Sequence, residues 1–72
     1  VSKTQEYGHL LQSLSANIKS LRAKKGWTQE QMTDFGFDYR HYQKLESGRY
    51  SPSLQTLFRL AQVFKVKIKD LF

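Results

Sequence analysis

Seventy-two residues make a single domain, near the lower size at which an apolar core alone holds a fold together, and leave little chain to wall off a deep catalytic pocket. Cysteine is absent, which removes disulfides and thiolate metal sites. No apolar run approaches the roughly 20 residues of a membrane span, and the N-terminus lacks the basic-then-apolar order of a signal peptide, so a soluble cytoplasmic chain is expected. Twelve Lys and Arg against six Asp and Glu give a net charge of +6, a surplus whose natural partner is a polyanion. Residues 37–72 carry seven of the basic and three of the acidic groups, so +4 of the +6 lies in the second half.

Residues 1–9 are polar and contain Gly8, which predicts an arm with no stable helix; the extension is drawn as residues 1–14 and the folded domain as 15–72. Leu11, Leu14, Ile18 and Leu21 fall at spacings of 3, 4 and 3, a helical stripe. Ser13 or Ser15 is placed to cap the main helix, and Lys24-Lys25-Gly26 to end it with cations at the negative pole and a glycine stop. Thr28-Gln29-Glu30-Gln31 forms a capping box for a second, short helix closed by Gly36. Asp38 is placed to cap a third helix over Tyr39 to Glu46, ending at Ser47-Gly48. After the Arg49-Tyr50-Ser51-Pro52 loop, Ser53 caps a fourth, in which Leu54, Leu57, Phe58, Ala61 and Phe64 form the expected core stripe. A last helix, Ile68 to Phe72, opens on Lys67 without a side-chain cap. The expected fold is all-α: a compact bundle of five short helices, with helices two and three arranged as a helix-turn-helix.

A wheel of the third helix puts Tyr42 and Leu45 on the core side together with Phe37. Arg40 lies almost opposite, flanked by Gln43 and Lys44, with Tyr39 and His41 at the margins. Arg40 can bridge guanine O6 and N7, and Gln43 adenine N6 and N7. Against this stands an ordinary solvated polar face; the short capped helices and the basic surplus favour base reading. Arg49 and Tyr50 are candidates for a phosphate, and His41 for a phosphate at the rim.

The segment Ile18 to Phe72 resembles the phage-repressor, or Cro-like (XRE), helix-turn-helix family. The resemblance rests on Ile18-Lys19-Ser20-Leu21-Arg22, Gly26-Trp27-Thr28-Gln29-Glu30-Gln31-Met32, Leu45-Glu46-Ser47-Gly48, Pro52-Ser53-Leu54-Gln55-Thr56-Leu57 and Leu60-Ala61, about three-quarters of the chain. It implies a transcriptional repressor or activator, bacterial or phage-encoded, that binds a palindromic operator in double-stranded DNA as a homodimer. It assigns base reading to Tyr39, Arg40 and Lys44, and a backbone contact to Gln29; Thr28 and Ser47 are taken with Gln29 as backbone contacts. Arg22 and Glu46 match a structural ion pair of the family. Two departures stand out. Between Thr28 and Glu46 the chain is one residue shorter than the common pattern, near Asp34-Phe35. Thr33 replaces the usual alanine between helices two and three, and Tyr42 a smaller aliphatic, with Tyr42 read as core.

Trp27 is expected partly buried between helices one and two. Dimerisation is expected through Val66, Ile68, Leu71 and Phe72, with Leu10-Leu11-Leu14 as the alternative surface. His9 and His41 lack partners at metal-ligand spacing, and no nucleophile–base set or phosphate loop is present, so no metal, cofactor, small-molecule ligand, membrane contact or catalysis is expected. The competing reading is an antitoxin-like or other partner-binding module of the same fold, which an exposed apolar patch on residues 7–14 would favour. RNA binding is weaker, since only Tyr39 offers a stacking platform.

Overall fold

A computed structural model of the chain describes residues 3–72, with side chains from Gln5 onward; the first two residues of the expected arm lie outside it. Three α-helices and two 3-10 helices follow one another: α1 (Lys3–Lys24), a first 3-10 helix (Glu30–Phe35), α2 (Tyr39–Leu45), α3 (Leu54–Phe64) and a second 3-10 helix (Ile68–Leu71). No strand occurs among the described residues. The fold is all-helical, but its first helix is long and two of the five helical elements are not α.

The N-terminal half of α1 overturns one expectation. Gly8 does not break the helix, Ser13 and Ser15 do not cap it, and α1 runs without interruption across the expected boundary at residues 14 and 15. A glycine inside a helix costs only about 0.5–1 kcal/mol, which 22 residues of continuous hydrogen bonding absorb. Ser15 is buried and its hydroxyl donates to the Gln12 carbonyl at 2.9 Å. Gly48 lies over it with φ +80°, where a Cβ would stand 3.3 Å from Ser15 Oγ, so only glycine lets the loop after α2 approach α1 this closely.

The core gathers Leu14 and Ile18 of α1, Met32, Phe37, Tyr42 and Leu45 of the middle segment, Leu57, Leu60, Ala61 and Phe64 of α3, and Leu71. The buried stripe of α3 is therefore Leu57-Leu60-Ala61-Phe64; Leu54 and Phe58, expected inside, are 71 % and 52 % exposed. Both stripes have helical spacing, and at 100° per residue they differ by a rotation of only about 45°. Packing against α1 and the C-terminal 3-10 helix selects the face that carries Leu60. Trp27 is half-buried as expected, its ring 4.8 Å from that of Phe35 and 6.3 Å from that of Phe64. Thr33, by contrast, is exposed and donates to the Glu30 carbonyl at 2.7 Å, so it does not occupy a buried helix–helix contact.

The C-terminal turn also departs from expectation. Its entry is capped from within, since the Asp70 carboxylate accepts from the Lys67 backbone N–H at 3.0 Å. Asn17 Nδ2 donates to the Leu71 carbonyl at 3.0 Å, tying the turn to α1. Leu71 is fully buried and Val66 and Ile68 pack half-buried against the core. Three of the four residues expected at a dimer interface are thus largely spent inside the protomer, and only Phe72 stays half-exposed.

Candidate nucleic-acid interface

The cap residues set where α2 begins. Asp38, in an extended conformation, accepts from the His41 backbone N–H at 3.0 Å, satisfying one of the free N–H groups of the first turn. Just upstream, the Thr28 hydroxyl accepts from the Gln31 N–H at 3.1 Å and the Gln31 side-chain carbonyl accepts from the Thr28 N–H at 2.7 Å, the reciprocal capping box read from the sequence. The segment it opens winds as a 3-10 helix and ends on Gly36 at φ 91°, a left-handed turn.

Arg59 of α3 fixes this turn to the body of the fold. Its guanidinium donates to the Gly36 carbonyl at 3.0 Å and lies 4.5 Å from the centroid of the Phe37 ring. A Cβ on Gly36 would stand 3.2 Å from that guanidinium, a tight contact, and the turn calls for glycine chiefly through its φ of +91°. Nothing in the spacing of Arg59, 23 residues from Gly36, signals this contact, and the sequence shows it only as one more cation.

At the other end of α2, Glu46 is held from three directions. Arg22 Nε donates to Oε2 at 2.7 Å and Arg22 Nη2 to Oε1 at 3.1 Å, while Gln29 Nε2 donates to Oε1 at 3.0 Å. Arg22 also donates to the Trp27 carbonyl at 2.7 Å. The side chains are 13 % and 2 % exposed, so this is a buried bidentate pair joining α1, the segment before the first 3-10 helix, and α2. Burial pushes the Glu46 carboxyl up, but the polar groups around it, the Arg22 guanidinium foremost, outweigh burial and leave it below the usual carboxylate range. Hydrogen bonding to Glu46 raises Arg22 above its ordinary value. The Tyr42 hydroxyl lies buried beside this pair without meeting hydrogen-bond geometry to either partner, and burial drives its pKa upward.

Between these anchors α2 presents two faces. Tyr42 and Leu45 are 0 % and 2 % exposed. Tyr39, Arg40, Gln43 and Lys44 are all exposed, and the side chains of Arg40, Gln43 and Lys44 make no hydrogen bond or ion pair among the described residues. A cleft of about 390 Å³ lined by Arg22, Trp27, Thr28, Gln29, Glu30 and Tyr39 joins the start of the first 3-10 helix to the start of α2. Tyr39, Thr28 and Gln29 therefore share one continuous surface.

The remaining sequence-selected residues divide by what their polar atoms already do. Thr28 uses its hydroxyl oxygen as an acceptor and keeps its proton free to donate; Gln29 gives one amide hydrogen to Glu46 and keeps another. The Ser47 hydroxyl donates to the Lys44 carbonyl at 2.7 Å and accepts from the Arg49 N–H, which places it in the turn rather than free at the surface. His41 Nε2 and Tyr50 Oη stand 3.2 Å apart with their rings edge-on, so the two fasten the following loop to α2. Arg49 is exposed.

Residues 18–71 match the model of a helix-turn-helix family. The chain belongs to this family, of the XRE type. Among its relatives, an HTH-type transcriptional regulator of Archaeoglobus fulgidus is 38 % identical over 60 residues, covering 82 % of this chain and 86 % of the relative. One of Methanocaldococcus jannaschii is 38 % identical over 56 residues, 76 % of this chain and 85 % of its own length. One of Sinorhizobium fredii is 37 % identical over 59 residues, 81 % and 77 % of the two chains. No solved structure gives a significant match. The helix-turn-helix unit is the first 3-10 helix, the Gly36 turn and α2, so the second helix of the motif is the one whose outer face is unpartnered.

Proposed function

We propose that the chain is a sequence-specific regulator of transcription that binds double-stranded DNA, with α2 in the major groove and two copies on a palindromic operator. The observation that carries this reading is the division of α2: one face sealed in the core, the other bearing Arg40, Gln43 and Lys44 with no partner among the described residues. Long polar side chains left unpaired on a rigidly anchored helix are donors waiting for a ligand, and base edges match their geometry. The +6 charge supplies the sequence-independent attraction to phosphate. Names of relatives as HTH-type transcriptional regulators point the same way.

Roles follow from position. Arg40 lies in the first turn of α2, where residues of a recognition helix meet base edges, and its planar fork suits guanine. Lys44 lies a turn further on and acts as a point charge on phosphate. Tyr39 and Gln43 complete the reading face, with Thr28, Gln29 and Arg49 holding the backbone. The exposed Tyr7 and Leu10 lie on α1, apart from the α2 face, so whatever covers them does not compete with DNA reading.

Selection of bound sequences from random duplexes, followed by titrations at two salt concentrations, tests this. Arg40→Ala should relax preference at one symmetric base position per half-site by about 1–3 kcal/mol. Lys44→Ala should weaken all duplexes alike and lower the salt slope by about 1 per contact. An absence of any enriched sequence, or an Arg40→Ala protein that keeps the full ranking of mismatches, would remove Arg40 from base reading.

A further inference from the structure

The stripe Leu11, Leu14, Ile18, Leu21 of α1 extends backward to Tyr7, giving spacings of 4, 3, 4 and 3, the repeat of a helix seam that packs along its whole length. Only its C-terminal part is covered. Leu14 and Ile18 are 4 % and 0 % exposed, whereas Tyr7 and the adjoining Leu10 are 48 % and 46 % exposed. An isolated helix shorter than about 12–15 residues is marginal in water, and this stretch of α1 holds itself out with its apolar side uncovered. Beside it, a groove of about 140 Å³ is bounded by Tyr7, Leu10, Leu11, Pro52 and Phe72 among others. Phe72, the one C-terminal apolar residue not spent on the core, therefore sits on the same patch as the α1 extension. The family match begins only at residue 18, so most of this surface lies outside the shared domain.

We infer that this patch is a self-association surface, occupied by the same patch of a second copy about a twofold axis; the inference rests on the DNA-binding reading for its purpose and on the patch for its location. Charge decides between occupants. The chain carries twelve Lys and Arg, yet none falls between Thr4 and Ile18, where Glu6 is the only acidic residue. A polyanion or an acidic partner would find nothing to pair with there, while a second copy meets little of the like-charge repulsion that a +6 chain presents elsewhere. Area supports the same occupant. At about 150–250 Å² per fully buried aromatic, half-exposed Tyr7 and Phe72 together with Leu10 leave roughly 300 Å² of apolar surface, the size of a functional patch on a small protein. Doubled by symmetry it comes to roughly 600 Å², short of the roughly 1,000–1,200 Å² at the lower end of specific interfaces, which fits a weak, reversible dimer completed on DNA and not an obligate one.

The experiment is sedimentation equilibrium of the full chain from low to high micromolar concentration, alone and with duplexes carrying one half-site or two. The wild type should self-associate; Leu10→Asp and, independently, Tyr7→Asp should be monomeric with unchanged melting, keep half-site affinity, and lose the tighter binding to the two-site duplex. Phe58→Asp, on the exposed side of α3, serves as the control and should leave the dimer intact. A wild type that stays monomeric at high micromolar concentration both free and on the two-site duplex overturns the inference, as does Phe58→Asp dissociating a dimer that Leu10→Asp and Tyr7→Asp preserve. A chain that dimerises through this patch yet binds no duplex would sink the DNA reading and leave the surface standing.

Discussion

Removal of Arg22 should expose what the buried pair does, and its pH dependence should be opposite in sign to that of the intact protein. In Arg22→Ala the Glu46 carboxylate, 2 % exposed, keeps only the Gln29 amide as a donor. Breaking a buried pair by deleting one member costs about 3–5 kcal/mol because a charge is left uncompensated. A 72-residue domain holds a total of only about 4–11 kcal/mol, so the variant sits close to unfolding at neutral pH. Glu46→Ala should cost less, at the lower end of that range. Arg22 then retains the Trp27 carbonyl at 2.7 Å and enough exposure to reach water. In the wild type the Glu46 pKa is lowered on folding, so its stabilisation is fully present above the unfolded value of about 4.3 and is lost as pH falls through the folded one. Without Arg22, burial prevails and the carboxyl is raised instead; protonation then relieves the strain, and the variant gains stability on acidification. Urea titrations followed by circular dichroism between neutral pH and pH about 4 would measure the gap between the two proteins, cancelling the groups they share. The gap should be widest at neutral pH and shrink steadily toward acid. A gap that stays constant across the range would mean Glu46 reaches solvent without Arg22, and the pair would not be the buried clamp described.

Other substitutions test separate parts of the structure. Gly8→Ala should stabilise the protein by about 0.5–1 kcal/mol, since a Cβ there meets nothing within 4 Å; an unchanged melting temperature would return the N-terminal residues to a frayed arm. Tyr42→Phe should be neutral or stabilising, by up to about 1–3 kcal/mol, because it deletes a buried hydroxyl without a partner; a clear loss would show that the phenol donates to Glu46. Arg59→Ala should destabilise by about 1.5–3 kcal/mol through the Gly36 carbonyl and the Phe37 ring, read by thermal melting, with faster amide exchange concentrated at residues 36–38 if the turn is what it holds.

The parts of the fold legible in the sequence are those set by local chemistry. Asp38, Ser53 and the Thr28–Gln31 box each bond the backbone within three residues, so side-chain type and spacing suffice to place them. The division of α2 follows similarly, because seven residues leave few ways to bury Tyr42 and Leu45 together. The Arg22–Glu46 pair, 24 residues apart, came from the family resemblance and has no local signature. What escaped is decided by tertiary packing. The rotation of α3 turns on whether Leu60 or Phe58 faces α1, a choice between two equally periodic stripes. The helix through Gly8 is a case of cooperativity outweighing a single propensity. Leu71 reads as a surplus apolar residue at a chain end until the Asn17 bond draws its turn against α1.

The 3-10 winding of the first helix of the motif sets how far the chain travels before the Gly36 turn. A 3-10 helix rises about 2.0 Å per residue against 1.5 Å for an α-helix, so six residues span about 12 Å and seven α-helical residues about 10.5 Å. The tighter winding thus lets the six residues Glu30–Phe35 cover the distance from the capping box to the turn. The cost is poorer hydrogen-bond geometry along the segment, and the surrounding side chains offset it. The reciprocal Thr28–Gln31 bonds hold its start, Trp27 against Phe35 braces its side, and Arg59 grips the carbonyl at its end. The outcome is that α2 begins from a fixed point: Gly36 is clamped from α3, Asp38 caps the first turn, and Glu46 is locked to α1 at the other end. A helix of seven residues anchored at both termini and along one face has little freedom to tilt. Its outer row of Tyr39, Arg40, Gln43 and Lys44 is therefore presented at an angle set by the rest of the domain, which is the condition for reading one base sequence in preference to another.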